Sequence, residues 1–241
     1  MMEQRLLFFF IFLSTQIYSQ TYSWGFTIKG SYIPVSQTVI DQNNNIYALG
    51  SGTLINHYGG AHQLSSCEDF VAKYNSNGTL DWAIPINDDS VNYYSRKLEI
   101  NSNGELLLAG SRQGKIYFKK INNTGSIVWS KVFAIPQAIN CYLAAFTTDL
   151  NNNIVAAGEF ATTTCNYCSA PTDLFIYKLD NSGNLVWSRN FIKNQGFVNI
   201  CDVECDGNNN IVLCGGGNNL NFQGNINQYT LTPGNFLSKY T

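Results

Sequence analysis

The sequence predicts an all-β fold built from four copies of one four-stranded antiparallel unit, and two observations carry that prediction. The first is that Trp24, Trp82, Trp129 and Trp187 recur at intervals of 58, 47 and 58 residues. The second is a ten-residue segment that returns in phase with them. Residues 41–50, DQNNNIYALG, come back as NSNGELLLAG at 101–110, DLNNNIVAAG at 149–158 and DGNNNIVLCG at 206–215. Two unrelated landmarks sharing a period of about 50 residues define a repeat architecture. The copies run approximately over residues 27–82, 83–129, 130–187 and 188–241.

Each element of the unit can be justified in the third copy, where the pattern is clearest. Residues 142–148 are apolar and β-prone, and Asp149 to Asn153 follow as a turn before residues 154–159 return. Asp and Asn side chains bond their own backbone and tolerate left-handed φ, so they suit a hairpin tip. After a loop, Asp173 to Leu179 reads as a third strand, Asp180 to Gly183 as a second turn, and Asn184 to Arg189 as the closing strand. No stretch shows helical periodicity. The second hairpin repeats as strictly as the first: Lys73, Lys120 and Lys178 are spaced by 47 and 58, and so are Gly78, Gly125 and Gly183. Those glycines fall where a turn favours positive φ. In the fourth copy we read a weakened second hairpin at Thr230 to Gly234, which leaves Ser238 at the tryptophan position.

Four such units with one aromatic anchor each predict a β-propeller of four four-stranded antiparallel blades. The tryptophans therefore read as packing between blades rather than as a sugar-stacking platform. The D-x-N-N-N-I-x-x-x-G hairpin, followed by D-x-F-x-x-K and N-x-x-G-x-x-x-W, resembles the bacterial β-propeller repeat family. Such repeats are common in exported proteins of Bacteroidetes-like bacteria. The resemblance covers residues 22–241 and implies architecture rather than activity, so it brings no catalytic residue with it. A closed four-bladed ring is the favoured arrangement, and part of a larger, incomplete propeller is the alternative. In the closed form Tyr22 to Phe26 would complete the fourth blade beside Ile226 to Leu231, although Phe236 to Tyr240 competes for that place.

Composition narrows the function classes. Charged residues make up 12% of the 241, the net charge is −2, and asparagine outnumbers lysine and arginine together. That leaves no basic footprint for nucleic acid or an anionic membrane surface. Arg5, the unbroken apolar run Leu6 to Leu13 and a more polar exit to Ser19 have the layout of an export signal, so residues 1–19 are expected to be removed. The mature chain would have no membrane span and would be secreted, periplasmic or on the cell surface. Seven cysteines suit an oxidising compartment, and the odd count leaves at least one unpaired within the chain.

Alternating strand direction places the two tight turns of every blade on one face and the two longer connections on the other. The connections vary between copies: Ser51 to Glu68 in the first, Phe160 to Thr172 in the third, and about five residues in the second. Loops on a rigid scaffold are where recognition usually resides. The candidate binding residues are therefore His57, Tyr58, His62 and Tyr167, with Asp88, Asp89, Asn92 and Tyr93 from loops between blades. The alternative is that these loops vary because nothing constrains them. His57 and His62 are the only histidines, and no neighbouring spacing completes a known ligand set, so no metal is expected. Cys165 and Cys168 have C-x-x-C spacing without a second matching pair, which reads as a local disulfide. Counting back from the Asp206 turn sets Cys201 opposite Cys214, at sites held by Ala144 and Ala157 in the third copy. The pair is then a cross-strand disulfide or two packed thiols. The Asp-x-Asn-Asn-Asn tips resemble calcium loops but lack their glycine and distal glutamate, and turn chemistry accounts for them.

No nucleophile elbow, phosphate loop or zincin motif is present, and no cofactor is expected. The sequence favours an exported, non-enzymatic binding scaffold for a glycan, a peptide or an envelope protein. The alternatives are a propeller hydrolase or lyase with its site at the central channel, and a structural fragment of a longer surface protein.

Overall fold

The computed structural model describes residues 27–29, 35–57, 60–86, 95–163, 173–191, 198–217 and 234–240, and every regular element among them is a β-strand. The first sheet holds β1 (Thr27–Lys29), β2 (Val35–Ile40), β3 (Ile46–His57), β4 (Gly60–Tyr74) and β5 (Leu80–Pro85). The second is β6 (Ser95–Ile100), β7 (Leu106–Arg112), β8 (Lys115–Ile121) and β9 (Ile127–Ala134). The third is β10 (Asn140–Thr148), β11 (Ile154–Ala161), β12 (Asp173–Leu179) and β13 (Leu185–Phe191). The fourth shows β14 (Val198–Cys205), β15 (Ile211–Gly217) and β16 (Gly234–Tyr240). Each is an antiparallel meander in sequence order, with β1 added along the far half of β3 beside β2. This is the propeller-type arrangement that the repeats predict.

The turns form for the reason their composition suggests. Asp149 Oδ1 accepts the backbone N–H groups of Asn151 and Asn153, both at 2.9 Å, and its Oδ2 accepts the Asn153 side-chain amide. Asp41 and Asp206 repeat all three bonds, and Asn101 repeats the two backbone ones. The left-handed residue is Asn44, Asn152 or Asn209 in three copies and Gly104 in the other. A lysine on the third strand then anchors the turn acid. Lys120 meets Glu105 at 2.8 Å, Lys178 meets Asp149 at 2.9 Å and Lys239 meets Asp206 at 2.7 Å. In the first sheet Lys73 pairs with Asp81 instead, while Asp41 takes the Tyr47 hydroxyl.

The hairpins also lock neighbouring sheets together. The Trp82 indole N–H donates to the Asn123 carbonyl at 3.0 Å, and Lys73 reaches the same oxygen. A Cβ on Gly125 would lie 2.9 Å from the Trp82 ring, and one on Gly183 would lie 3.1 Å from the Trp129 ring. Each of these indoles thus lies on the hairpin glycine of the following sheet. First turns are stitched in the same sense: Asn152 accepts from Ser102 across one boundary, and Asn209 accepts from the Leu150 N–H across another. A second invariant pair sits within each sheet, where Gly50, Gly110, Gly158 and Gly215 face Phe70, Tyr117, Phe175 and Phe236. At Gly158 a Cβ would come within 2.1 Å of the Tyr142 carbonyl and 2.7 Å of the Phe175 ring, so only glycine lets the ring lie flat across the strand.

The core follows the sheet order. One cluster joins the first and second sheets through Tyr47, Leu49, Val71, Leu98, Leu106 and Leu108. A second joins the second and third through Leu107, Phe118, Leu143, Phe160, Phe175 and Tyr177. A third joins the third and fourth through Val155, Leu174, Ile176, Ile211, Leu213 and Phe236. Burying each such side chain contributes about 1.5–3 kcal/mol. The inner strands β7, β11 and β12 of the middle sheets are buried on both faces, whereas the fourth sheet alternates, with Phe236 buried and Leu237 76% exposed.

Three sequence expectations are corrected. Gly234 is not a hairpin tip in the fourth copy: β16 is the third strand, pairing Phe236 with Gly215 and Lys239 with Val212, as Phe175 and Lys178 pair in the third sheet. Alignment on the Pro-Gly turn signal obscured the aromatic-x-x-Lys pattern, which recurs as Phe70/Lys73, Tyr117/Lys120, Phe175/Lys178 and Phe236/Lys239. Phe236 to Tyr240 is therefore not the outer strand, and both Tyr22 to Phe26 and Ile226 to Leu231 lie outside the described residues. The segment from Ser51 to Glu68 is not a loop, because β3 and β4 stay paired from Gly52/Glu68 out to His57/Gly60. Its β-prone residues keep hydrogen-bonding past the end of the blade. The connection between β7 and β8 is the two residues Gln113 and Gly114, both at positive φ, rather than about five.

Candidate functional site

Every sheet has a first strand that leads into the Asx turn, and successive first strands touch: β2 with β6, β6 with β10, and β10 with β14. They form the inside of the array. Hydrogen bonds reach β6, β10 and β14 across the sheet boundaries, each from the preceding sheet. The Gln37 side-chain amide brackets the Leu98 backbone with two bonds of 2.8 Å. Ser111 Oγ accepts the Leu143 N–H at 2.9 Å, and Glu159 Oε1 accepts the Ile200 N–H at 2.6 Å. Ser111 and Glu159 both follow the repeat glycine, so one repeat position serves these two boundaries with whichever acceptor it carries.

The position facing Tyr47, Leu107, Val155 and Val212 on these first strands holds Val39, Glu99, Thr147 and Glu204. Equivalent backbone positions thus bring two carboxylates and a hydroxyl to one level of the first strands, with Glu99 half-buried, Thr147 buried and Glu204 exposed. The Thr147 hydroxyl donates to Glu204 Oε2 at 3.2 Å. Glu99 is half-buried, and its carboxyl is pushed up to about 8, first by burial and then by the negative charges of Glu204 and Asp202. Glu159 is raised as well by burial, opposed by its bond from Ile200. At neutral pH a protonated Glu99 stands within electrostatic reach of carboxylates on the fourth sheet. Such a set can donate a proton from one group and accept at another.

Sequence reasoning singled out none of Glu99, Asp202 and Glu204. One signal was available: the position two residues before each turn reads Val, Glu, Thr, Glu, with charges on strands that are otherwise apolar inside. Of the candidate binding residues, His57 lies in β3 opposite Gly60, and His62 lies in β4 opposite Ile55, so both belong to the ribbon extending from the first sheet. Tyr58, Asp88, Asp89, Asn92, Tyr93 and Tyr167 lie outside the described residues, as do Cys165 and Cys168. Among the described residues, no set of His, Cys, Asp and Glu is arranged to hold a metal ion.

Cys141, Cys201, Cys205 and Cys214 are free thiols. The residue opposite Cys214 is Asp202 rather than Cys201, because β14 bulges between Ile200 and Asp202. The third sheet bulges in the same place, between Leu143 and Ala145. Burial also differs from expectation. Ala144 and Ala157 are buried, but Cys201 is exposed and Cys214 half-buried, because they stand on the open face of the fourth sheet.

No family model matches the chain, and no curated protein matches it. Solved structures do. The α-L-arabinofuranosidase of glycoside hydrolase family 93 from Fusarium graminearum, in complex with arabinobiose, is similar at 8% identity, with a TM-score of 0.50 over 91% of this chain and 67% of that one. The same enzyme with an iminosugar inhibitor gives 8% identity and a TM-score of 0.51 over 92% and 68%. A protein of unknown function from Bacteroides caccae has 14% identity and a TM-score of 0.40 over 62% of this chain and 50% of its own. The chain therefore spans between half and about two thirds of the length of these proteins. The likeness is one of fold: an all-β, propeller-type architecture.

Proposed function

We propose that the protein is an exported binding scaffold that recognises a glycan, a peptide or another envelope protein on the face away from its turns. The observation that carries this reading is the contrast between the two ends of the sheets. At the turn end, side chains are occupied in bonds to neighbouring copies, as at Asn152, Asn209 and Trp82. At the other end, β3 and β4 run for 12 and 15 residues, against seven or eight for their counterparts in the second and third sheets, and His57 and His62 lie in this added paired length. A paired extension that one copy has and the others lack gives the scaffold a feature of its own at that end, where recognition usually resides. Replacing residues 53–66 by an Asn-Gly turn tests this. With thermal unfolding still cooperative and the strand signal of circular dichroism reduced only by the deleted residues, binding on glycan and peptide arrays should be lost. An array profile unchanged by the deletion rejects the proposal.

A second reading, a hydrolase or lyase acting at the first strands, is favoured by the Glu99 carboxyl, raised first by burial and then by the charges of Glu204 and Asp202. Arabinobiose, bound by one of the similar structures, is the first substrate to try. Turnover abolished in Glu99→Gln and retained in the ribbon deletion would replace the first reading with this one.

A further inference from the structure

We propose that Cys201 and Cys214 form a redox-active cross-strand dithiol, a modification site on the open face of the fourth sheet. The β14 bulge brings them together. Ile200 faces Gly215 and Asp202 faces Cys214, so Cys201 is the extra residue between those pairs. Ile200 and Val203 are both buried, while Cys201 and Asp202 between them are both exposed. Two consecutive residues therefore turn to the solvent face against the single Cys214, as a bulge requires. The Cys201 thiol points along that face, donating toward Asn199 Oδ1 at 3.8 Å. The two residues of a bulge share one partner across the ladder, which sets Cys201 as well as Asp202 against Cys214.

The other two described cysteines make the contrast. Cys141 is buried with its thiol on the Lys115 carbonyl, and Cys205 packs against the core of the third and fourth sheets. Burial pushes both thiols up to about 11, which cuts their thiolate roughly a hundredfold against an ordinary cysteine. Among the described cysteines, exposed Cys201 and half-buried Cys214 are the two open to exchange with a small disulfide. The Cys201 thiolate attacks one sulfur of that disulfide and releases the other half as a thiolate. Cys214 then attacks the mixed disulfide at the Cys201 sulfur and expels the second half. Two protons and two electrons pass from the protein to the external disulfide, which leaves as two thiols. Exposure assigns the order, with Cys201 attacking first and half-buried Cys214 resolving.

The test uses the full chain treated with oxidised glutathione and mapped without reduction. A 201–214 link in monomeric protein is expected, with Cys141 and Cys205 unmodified at least tenfold longer than the pair. In Cys214→Ser a glutathione adduct should persist on Cys201 at least tenfold longer than in the parent. Stable adducts on both cysteines of the parent, a link from either to Cys67, Cys165 or Cys168, or a disulfide between two chains would overturn the assignment. So would a Cys214→Ser adduct that disappears as fast as the parent's.

Discussion

Gly125 is asked to satisfy two demands at once, and Gly104 only one, which makes the two a matched experiment. Both are turn glycines at positive φ, 83° and 73°. A methyl group on Gly104 meets nothing within 4 Å, whereas on Gly125 it comes within 2.9 Å of the Trp82 ring. That ring cannot simply swing away, because its N–H is bonded to Asn123 and its edge packs on Tyr47 with centroids 6.0 Å apart. Gly104→Ala should therefore cost only the left-handed backbone term, roughly 1–2 kcal/mol. Gly125→Ala should add an overpacking term of about 1–3 kcal/mol. Urea denaturation of both variants reads the difference from the midpoints, provided the slopes agree. A double-mutant cycle with Trp82→Ala should return most of the extra loss, since truncating the indole removes the clash. Equal costs for the two alanines would show that the indole is not held against the hairpin of the next sheet, and the inter-blade lock would fall with it.

Asp149→Ala should destabilise by about 3–5 kcal/mol, because it strands the Lys178 ammonium and removes the acceptor of the turn. The Asp149 carboxyl is held below the usual range by its Asn153 and Lys178 bonds, which outweigh burial. Its contribution is thus whole above about pH 4 and lost as pH falls through the lowered folded value, which an acid titration of the parent against Asp149→Asn will read. Glu99 has the opposite sign. Its folded value near 8 lies above the unfolded one, so stability is full below about pH 4.5 and declines as pH rises toward 8. Glu99→Gln should match the parent at pH 4.5 and be more stable at pH 8.5 by roughly 1–3 kcal/mol, and equal urea midpoints at pH 8.5 would refute the carboxylate coupling. Gly158→Ala should abolish folding of the purified chain, because its methyl group meets the Tyr142 backbone carbonyl, which cannot step aside.

Much of the architecture was legible because it is periodic. Asp149 and its copies declare a turn by composition, Lys178 and Trp187 mark the strands that follow, and recurrence turns each weak signal into a strong one. The fourth copy was misread where a Pro-Gly pair imitated the expected turn glycine, although Phe236 and Lys239 carried the true alignment. The ribbon of β3 and β4 was read as a loop because polar and glycine residues between Ser51 and Glu68 resemble a connection, and pairing between two such strands is a property of neither alone. Glu99, Asp202 and Glu204 went unnoticed because each is an ordinary charged residue within its own repeat.

What the amino-acid order determines unaided is the repeating unit: side-chain oxygens that close turns, glycines that admit rings, and alternation that makes strands. These are interactions over a few residues or one hairpin, and local chemistry suffices for them. Tertiary structure alone decides which side chains from different copies meet. Packing of sheet on sheet couples Glu99 to Glu204, and the β14 bulge turns Cys201 to the same side as Asp202. Distances across the interior depend on how every sheet packs on the next, which no single segment encodes.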